Sequence, residues 1–145
     1  MNWIILLLVF IAGTATSFQA GVNGALGKKI GIIEAAFVSF LVGTIFLSVL
    51  LLFFRKGNIS EVFSVSKWQL TGGLLGATYI LIMIIAVPRI GIAAALITLI
   101  MGQVISSTLI DHFGVINDTK IPIDWRRMAG LVCMAAALFF FYKKQ

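Results

Sequence analysis

The chain has 145 residues, of which 61% are hydrophobic and 11% charged, against about 25% charged in an ordinary soluble domain. A water-soluble globule of this length has nowhere to hide so much apolar surface, so lipid is the solvent the composition calls for. The net charge is +6, but the Lys and Arg residues are scattered between apolar runs without a basic stripe or interleaved aromatics; that excludes a nucleic-acid binder and points to anionic lipid head groups. The single cysteine, Cys133, excludes an internal disulfide and has no CxxC or histidine neighbour to hold a metal.

Five apolar segments follow one another, each close to the roughly 20 residues a helix needs to cross about 30 Å of hydrocarbon. The first spans about 3–26. No charge precedes Lys28, so it lacks the positive start of a secretory signal and is expected to persist as a helix. On a 3.6-residue wheel Ala12, Thr16, Gln19 and Asn23 share one face. Gly13, Ser17, Ala20 and Gly24 form a small face beside it, and Leu7, Ile11, Phe18 and Val22 a lipid-facing side. Amides facing hydrocarbon lack partners, so Gln19 and Asn23 are expected either to bond neighbouring helices together or to line a watery cavity. Both readings stay open.

The second segment, 30–54, carries Glu34 on the face of Phe37, Leu41, Thr44 and Ser48. A carboxylate in a first turn is favoured by the helix dipole and by Lys28 and Lys29 nearby. The alternative is a cation- or proton-coupling group paired with Asn23. The third segment, 68–87, places Gly72, Gly76, Tyr79 and Met83 on one face. Its glycines invite a close helix approach, and Tyr79 is either a packing residue or a ring for substrate stacking. In the fourth, 91–111, Ala94, Thr98, Gly102 and Ser106 recur every four residues as a small-residue ridge suited to helix packing or a dimer seam. Gln103 and Ser107 lie beside that ridge, Gln103 as a cavity candidate, and Asp111 is expected to fix a loop or interface. The fifth, 125–142, needs Arg126 and Arg127 to reach back to the interface.

The reading is therefore an all-α integral membrane protein, one transmembrane domain of five helices over 1–145. Trp3, Trp68, Trp125 and Tyr142 fall at segment ends, as an aromatic belt requires. With five spans the termini face opposite sides. Arg55, Lys56, Lys67, Lys120, Arg126 and Arg127 lie on one side, six in all, against Lys28, Lys29, Arg89, Lys143 and Lys144 on the other, five. So even a count barely orients the chain under the positive-inside rule. It predicts insertion in both directions and an antiparallel homodimer, which would reproduce without gene fusion the paired inverted repeats of secondary transporters; the alternative is a single orientation fixed by a few dominant charges. No P-loop or GxGxxG is present, no nucleophile elbow accompanies the lone His112, and no second metal ligand stands at a useful spacing. A transporter is expected rather than an enzyme, with no cofactor.

Several local patterns recur together along the whole chain: Gln19-x-x-x-Asn23-x-x-Leu26-Gly27, Ser39-Phe40-x-x-Gly43, Gly72-Gly73-x-x-Gly76, Gly102-Gln103, Ile110-Asp111-His112-Phe113-Gly114 and Arg127-x-x-Gly130. In order and spacing they resemble the YdcZ-like family of bacterial inner-membrane proteins, within the drug/metabolite transporter superfamily. The resemblance implies a multi-pass inner-membrane protein that is half of a 5+5 inverted-repeat carrier, with export-type activity toward a small organic metabolite or drug-like solute. Its plan is similar to that of EamA-type carriers and analogous to the four-helix small multidrug carriers. Those carry a membrane glutamate in helix one, where this chain has Gln19 and Asn23. The departure counts against proton/drug antiport of that kind. Substrate contacts are expected from Gln19, Asn23, Tyr79, Gln103, Thr16 and Thr98, with Glu34 as coupling group and Gly72, Gly76, Gly102 and Ser106 in helix or dimer packing. The rival reading is a non-transporting structural or regulatory subunit, or half of a heterodimeric transporter.

Overall fold

A computed structural model of the chain describes residues 2–54, 56–114 and 120–142. Among them are five α-helices and no strand: α1 (Trp3–Ile30), α2 (Ile32–Phe54), α3 (Gly72–Ile90), α4 (Ile92–Phe113) and α5 (Trp125–Tyr142). Two short 3-10 turns, Ile59–Phe63 and Lys67–Thr71, lead from α2 into α3. Four helices are long and apolar enough to cross a membrane: α1, α2, α4, and α3 taken together with the turn from Lys67. Arg55, Lys143 and Lys144 of the charge tally lie outside the described residues, as does the Tyr142 side chain.

The helix ends show where local chemistry overrules the placement of charge. α1 does not stop at Leu26 but runs through Lys28 and Lys29 to Ile30, because lysine is a good helix former and a cation in the last turn suits the helix dipole. With 28 residues it is about 42 Å long. The break falls on Gly31 alone, at φ +105°, a conformation that disfavours any side chain. The Gly31 N–H still donates to the Gly27 carbonyl, and the Gly31 carbonyl already accepts from Ala35. One residue thus ends α1 and starts α2.

The same device recurs between α3 and α4. Gly91 has φ +81°, and its carbonyl accepts from Ala95 at 3.2 Å. In both places the glycine sits in a basic-Ile-Gly-Ile sequence, Lys29 to Ile32 and Arg89 to Ile92, and buried alanines follow within a turn: Ala35 and Ala36 in one case, Ala94 and Ala95 in the other. The gap left between the third and fourth segments, 68–87 and 91–111, is shorter than the sequence suggested, since α3 continues through Pro88 to Ile90. Pro88 forfeits the bond from its own nitrogen to the Ile84 carbonyl and sets its ring against that carbonyl, but only Arg89 and Ile90 of α3 lie beyond it.

The chain divides into two compact units, 1–89 and 90–145. In the first, α2 folds back on α1, and Ala35, Ala36, Ile80 and Ile84 form the core, with Leu26, Tyr79 and Leu81 packed against it. The buried face of α1 is Ala20, Asn23 and Gly24. A methyl added at Gly24 would lie 3.2 Å from Val87 Cγ1, and one at Gly27 would strike Ile84 Cγ2. The small face read from the sequence is therefore a packing face in its C-terminal half, while Gly13 faces open space. Phe18 and Val22 on the opposite side are exposed, as lipid-facing residues are.

In the second unit α4 packs on α5. α4 closes on Gly114 in the left-handed conformation, whose N–H donates to the Ile110 carbonyl at 2.9 Å, a common C-terminal cap. α5 opens with Asp124, whose Oδ1 accepts from the Arg127 N–H at 2.9 Å, the standard N-terminal cap. Trp3, Trp68 and Trp125 stand exposed at the starts of their segments.

Candidate functional site

Within the first unit, three helices border a groove of about 220 Å³. Its lining is Gln19 from α1, Ser39, Phe40, Gly43, Thr44 and Leu47 from α2, and Ile80 from α3. The α2 contributors recur at three- and four-residue steps, so they share one face of the helix. Gly43 has no neighbour where a side chain would stand, which leaves the floor of the groove clear. Phe40 forms a wall and packs on Gly76, where an added methyl would sit 3.6 Å from the ring.

The polar groups here are poor in protein partners. Ser48 Oγ donates to the Thr44 carbonyl at 2.8 Å, the self-bonding expected of a helix hydroxyl. Among the described residues no hydrogen bond to the protein engages the Gln19 amide, the Ser39 hydroxyl or the Thr44 hydroxyl. Gln19 is exposed near the middle of α1. At membrane depth such a group needs water, a ligand or another protein surface, because hydrocarbon offers no bonding partner.

The other sequence candidates fall in different places. Asn23, on the same wheel face as Gln19, is only 6% exposed and lies in the packed seam, outside the groove. Tyr79 is half-buried against the Ala35–Ala36–Ile80–Ile84 core. Thr16 lies one turn before Gln19 and spends its hydroxyl on the Gly13 carbonyl at 2.8 Å. Glu34 folds back so that its carboxylate covers Gly31, and no ion pair joins it to Lys28 or Lys29 among the described residues. Gly72 borders open space.

In the second unit Thr98 donates to the Ala94 carbonyl at 2.8 Å, while Gly102, Gln103 and Ser106 are exposed and nothing approaches Gly102. At the end of α4, Asp111 Oδ2 meets Arg127 Nη1 at 3.5 Å, and the Asp111 carbonyl accepts from Ile121 at 2.9 Å. Beside it the His112 ring stands edge-on to Phe113, with Nδ1 buried and unbonded. No group of His, Cys, Asp and Glu able to hold a metal occurs among the described residues.

Sequence reasoning missed Ser39, Phe40, Gly43 and Thr44 as groove residues. A signal was present, since Ser39, Thr44 and Ser48 are, with Glu34, the polar residues of an α2 that is apolar elsewhere, but a wheel of one helix does not say which face meets Gln19. The local patterns seen in the sequence do converge: Gln19, Ser39, Phe40 and Gly43 line one groove, Gly76 supports its wall, and Asp111 joins Arg127. No curated protein and no solved structure matches the chain. Residues 4–140 match the family model described as "Putative inner membrane exporter, YdcZ", a transport family and not an enzyme family, and the chain, with four helices able to span a membrane, belongs to that family and to the inner membrane.

Proposed function

We propose that the chain is half of a secondary-active exporter of a small organic solute, two oppositely inserted copies forming an antiparallel homodimer that works by alternating access. The observation that carries this reading is the Gln19–Ser39–Thr44 groove, in which an amide and two hydroxyls face open space without protein partners. Its walls are apolar, with a few fixed polar groups, the composition of a small-molecule site. A second support is the surface of α2: none of its most apolar window is buried within the chain, although the helix carries those hydroxyls.

With five spans, the last entered through Arg126 and Arg127, each copy presents the same groove to the opposite side. Alternating access then needs only an exchange of roles between two identical halves. Gln103 and Thr98 on α4 are further candidate substrate contacts in this reading, and Glu34, at the start of α2, is the candidate coupling group. The ridge of Gly102 and Ser106, exposed among the described residues, supplies the contact between copies.

The test is flux through the purified chain in liposomes, with Gln19→Leu beside the wild type. Transport of at least one solute, lost in the variant, supports the carrier. No flux across a broad panel leaves the non-transporting subunit as the better account. Topology is read separately from Lys56→Cys in a Cys133→Ala background: labelling of comparable fractions from each face supports dual insertion, and labelling from one face removes the antiparallel dimer.

A further inference from the structure

A second and larger groove, about 590 Å³, lies farther along α2. It is lined by Leu47, Leu50, Leu51 and Phe54 and closed at its end by Lys56 and Asn58. The two grooves share Leu47, and the lining positions 40, 43, 44, 47, 50, 51 and 54 follow one helical face. Together they make a track about 21 Å long from Phe40 to Phe54. It begins at unpartnered hydroxyls and an amide, continues over leucines and phenylalanine, and ends at a lysine.

We propose that this track takes a single-chain anionic amphiphile from the leaflet, its head at Lys56 and Asn58 and its tail along Leu47, Leu51 and Phe54. The proposal rests on the carrier reading above and names its substrate class. In a bilayer an acyl tail gains little by leaving lipid for leucine, since the two are equally apolar, so selection falls to the polar end. That end is cationic. Lys56 makes no ion pair among the described residues. Asn58 spends its Oδ1 on the Ser60 N–H at 3.1 Å and keeps its amide N–H groups for an anion. A phosphate or carboxylate there gains a charge-assisted bond, and a cationic head would be repelled. A fully hydrated polar solute, by contrast, would find the leucine walls unfavourable.

The experiment uses the full chain in phosphatidylcholine nanodiscs with lysophosphatidylglycerol carrying a photoreactive tail, adducts being mapped by mass spectrometry. We expect adducts within 47–54, competed by unlabelled lysophosphatidylglycerol and not by lysophosphatidylcholine. Lys56→Gln should lower them about tenfold, the weight of one charge-assisted contact, and Lys28→Gln, at another helix end, should leave them unchanged. Equal labelling by the zwitterionic probe, adducts spread over all helices, or an undiminished yield in Lys56→Gln would overturn the proposal. So would a Leu51→Cys, Cys133→Ala chain that crosslinks in high yield to a second copy, because the track is then a protein interface. Labelling is read without transport: adducts in a chain that carries no solute would sink the exporter and spare this binding site, and flux without adducts would do the reverse.

Discussion

The two units hold themselves together by different means, although both are built from apolar helices. In the first, α1 meets α2 and α3 through residues without a side chain, Gly24 against Val87 and Gly27 against Ile84 and Ala35, with Ala20 buried on the same face. Between helices in lipid there is no hydrophobic drive, so close backbone approach and the dispersion contacts it permits carry the association. In the second, the long-range polar tie is ionic, Asp111 to Arg127 at 3.5 Å, with a capped turn at each side of it. One device depends on excluded volume and fails at the first extra methyl. The other depends on charge at the edge of the membrane and is tuned by salt.

That contrast is broken most sharply at Gly27. Gly27→Ala drives a methyl into Ile84 Cγ2, a branched position that cannot swing aside, and is expected to cost about 1–3 kcal/mol, as over-packing does. Unfolding in mixed micelles would measure it. An unchanged midpoint would mean that the seam is loose. Asn23→Leu probes the same seam in the opposite direction. Asn23 is buried as a residue and its amide has no hydrogen-bond partner among the described residues, but the amide atoms are not shut off from the surface, so an apolar group of similar size should leave stability unchanged or raise it by at most about 1 kcal/mol. If the variant is also defective in transport, Asn23 is retained for function at the expense of packing. If it is less stable, the amide has a partner that one copy alone does not supply.

How much of this was readable beforehand depends on whether the information was local. The existence of the helices was, because runs of some twenty apolar residues between charged links leave no other choice. The packing role of Ala20 and Gly24 was, because small residues at helical spacing define a face. The end of the first helix was misplaced because a charge was taken as a stop: Lys28 and Lys29 continue α1, and the break waits for Gly31 because the backbone conformation there is decisive. The groove was legible by half. Gln19 announced itself as an amide in an apolar run, but pairing it with Ser39 and Thr44 requires knowing how α1 and α2 are rotated about their axes. Gln19 and Asn23 fell on one wheel face and yet parted, one to the groove and one to the seam, since a face 100° wide can border two neighbours.

Gly102 offers the control for Gly27. Nothing lies within 4 Å of a methyl placed there, so Gly102→Ala within a single chain should stabilise α4 by roughly 0.5–1 kcal/mol through helix propensity alone. Should the variant instead weaken association of copies, measured by energy transfer between labelled chains in lipid, Gly102 belongs to an interface between copies and acts there as Gly27 acts within one.

The smallest effect is expected at the ionic tie. Arg127 and Asp111 are 32% and 41% exposed in their side chains, so solvent screens them, and Asp111→Asn should cost about 0.5 kcal/mol, within the range of exposed ion pairs. The variant keeps the Asp111 carbonyl that accepts from Ile121, and Asp124 continues to cap α5, so only the charge is tested. The wild-type advantage should shrink as salt rises to about 1 M, where the screening length falls to roughly 3 Å, whereas the penalty of Gly27→Ala should not move. A salt-independent loss at Asp111 would mean that the pair acts through geometry, holding the start of α5 against the end of α4, and the two units would then differ less than their residues suggest.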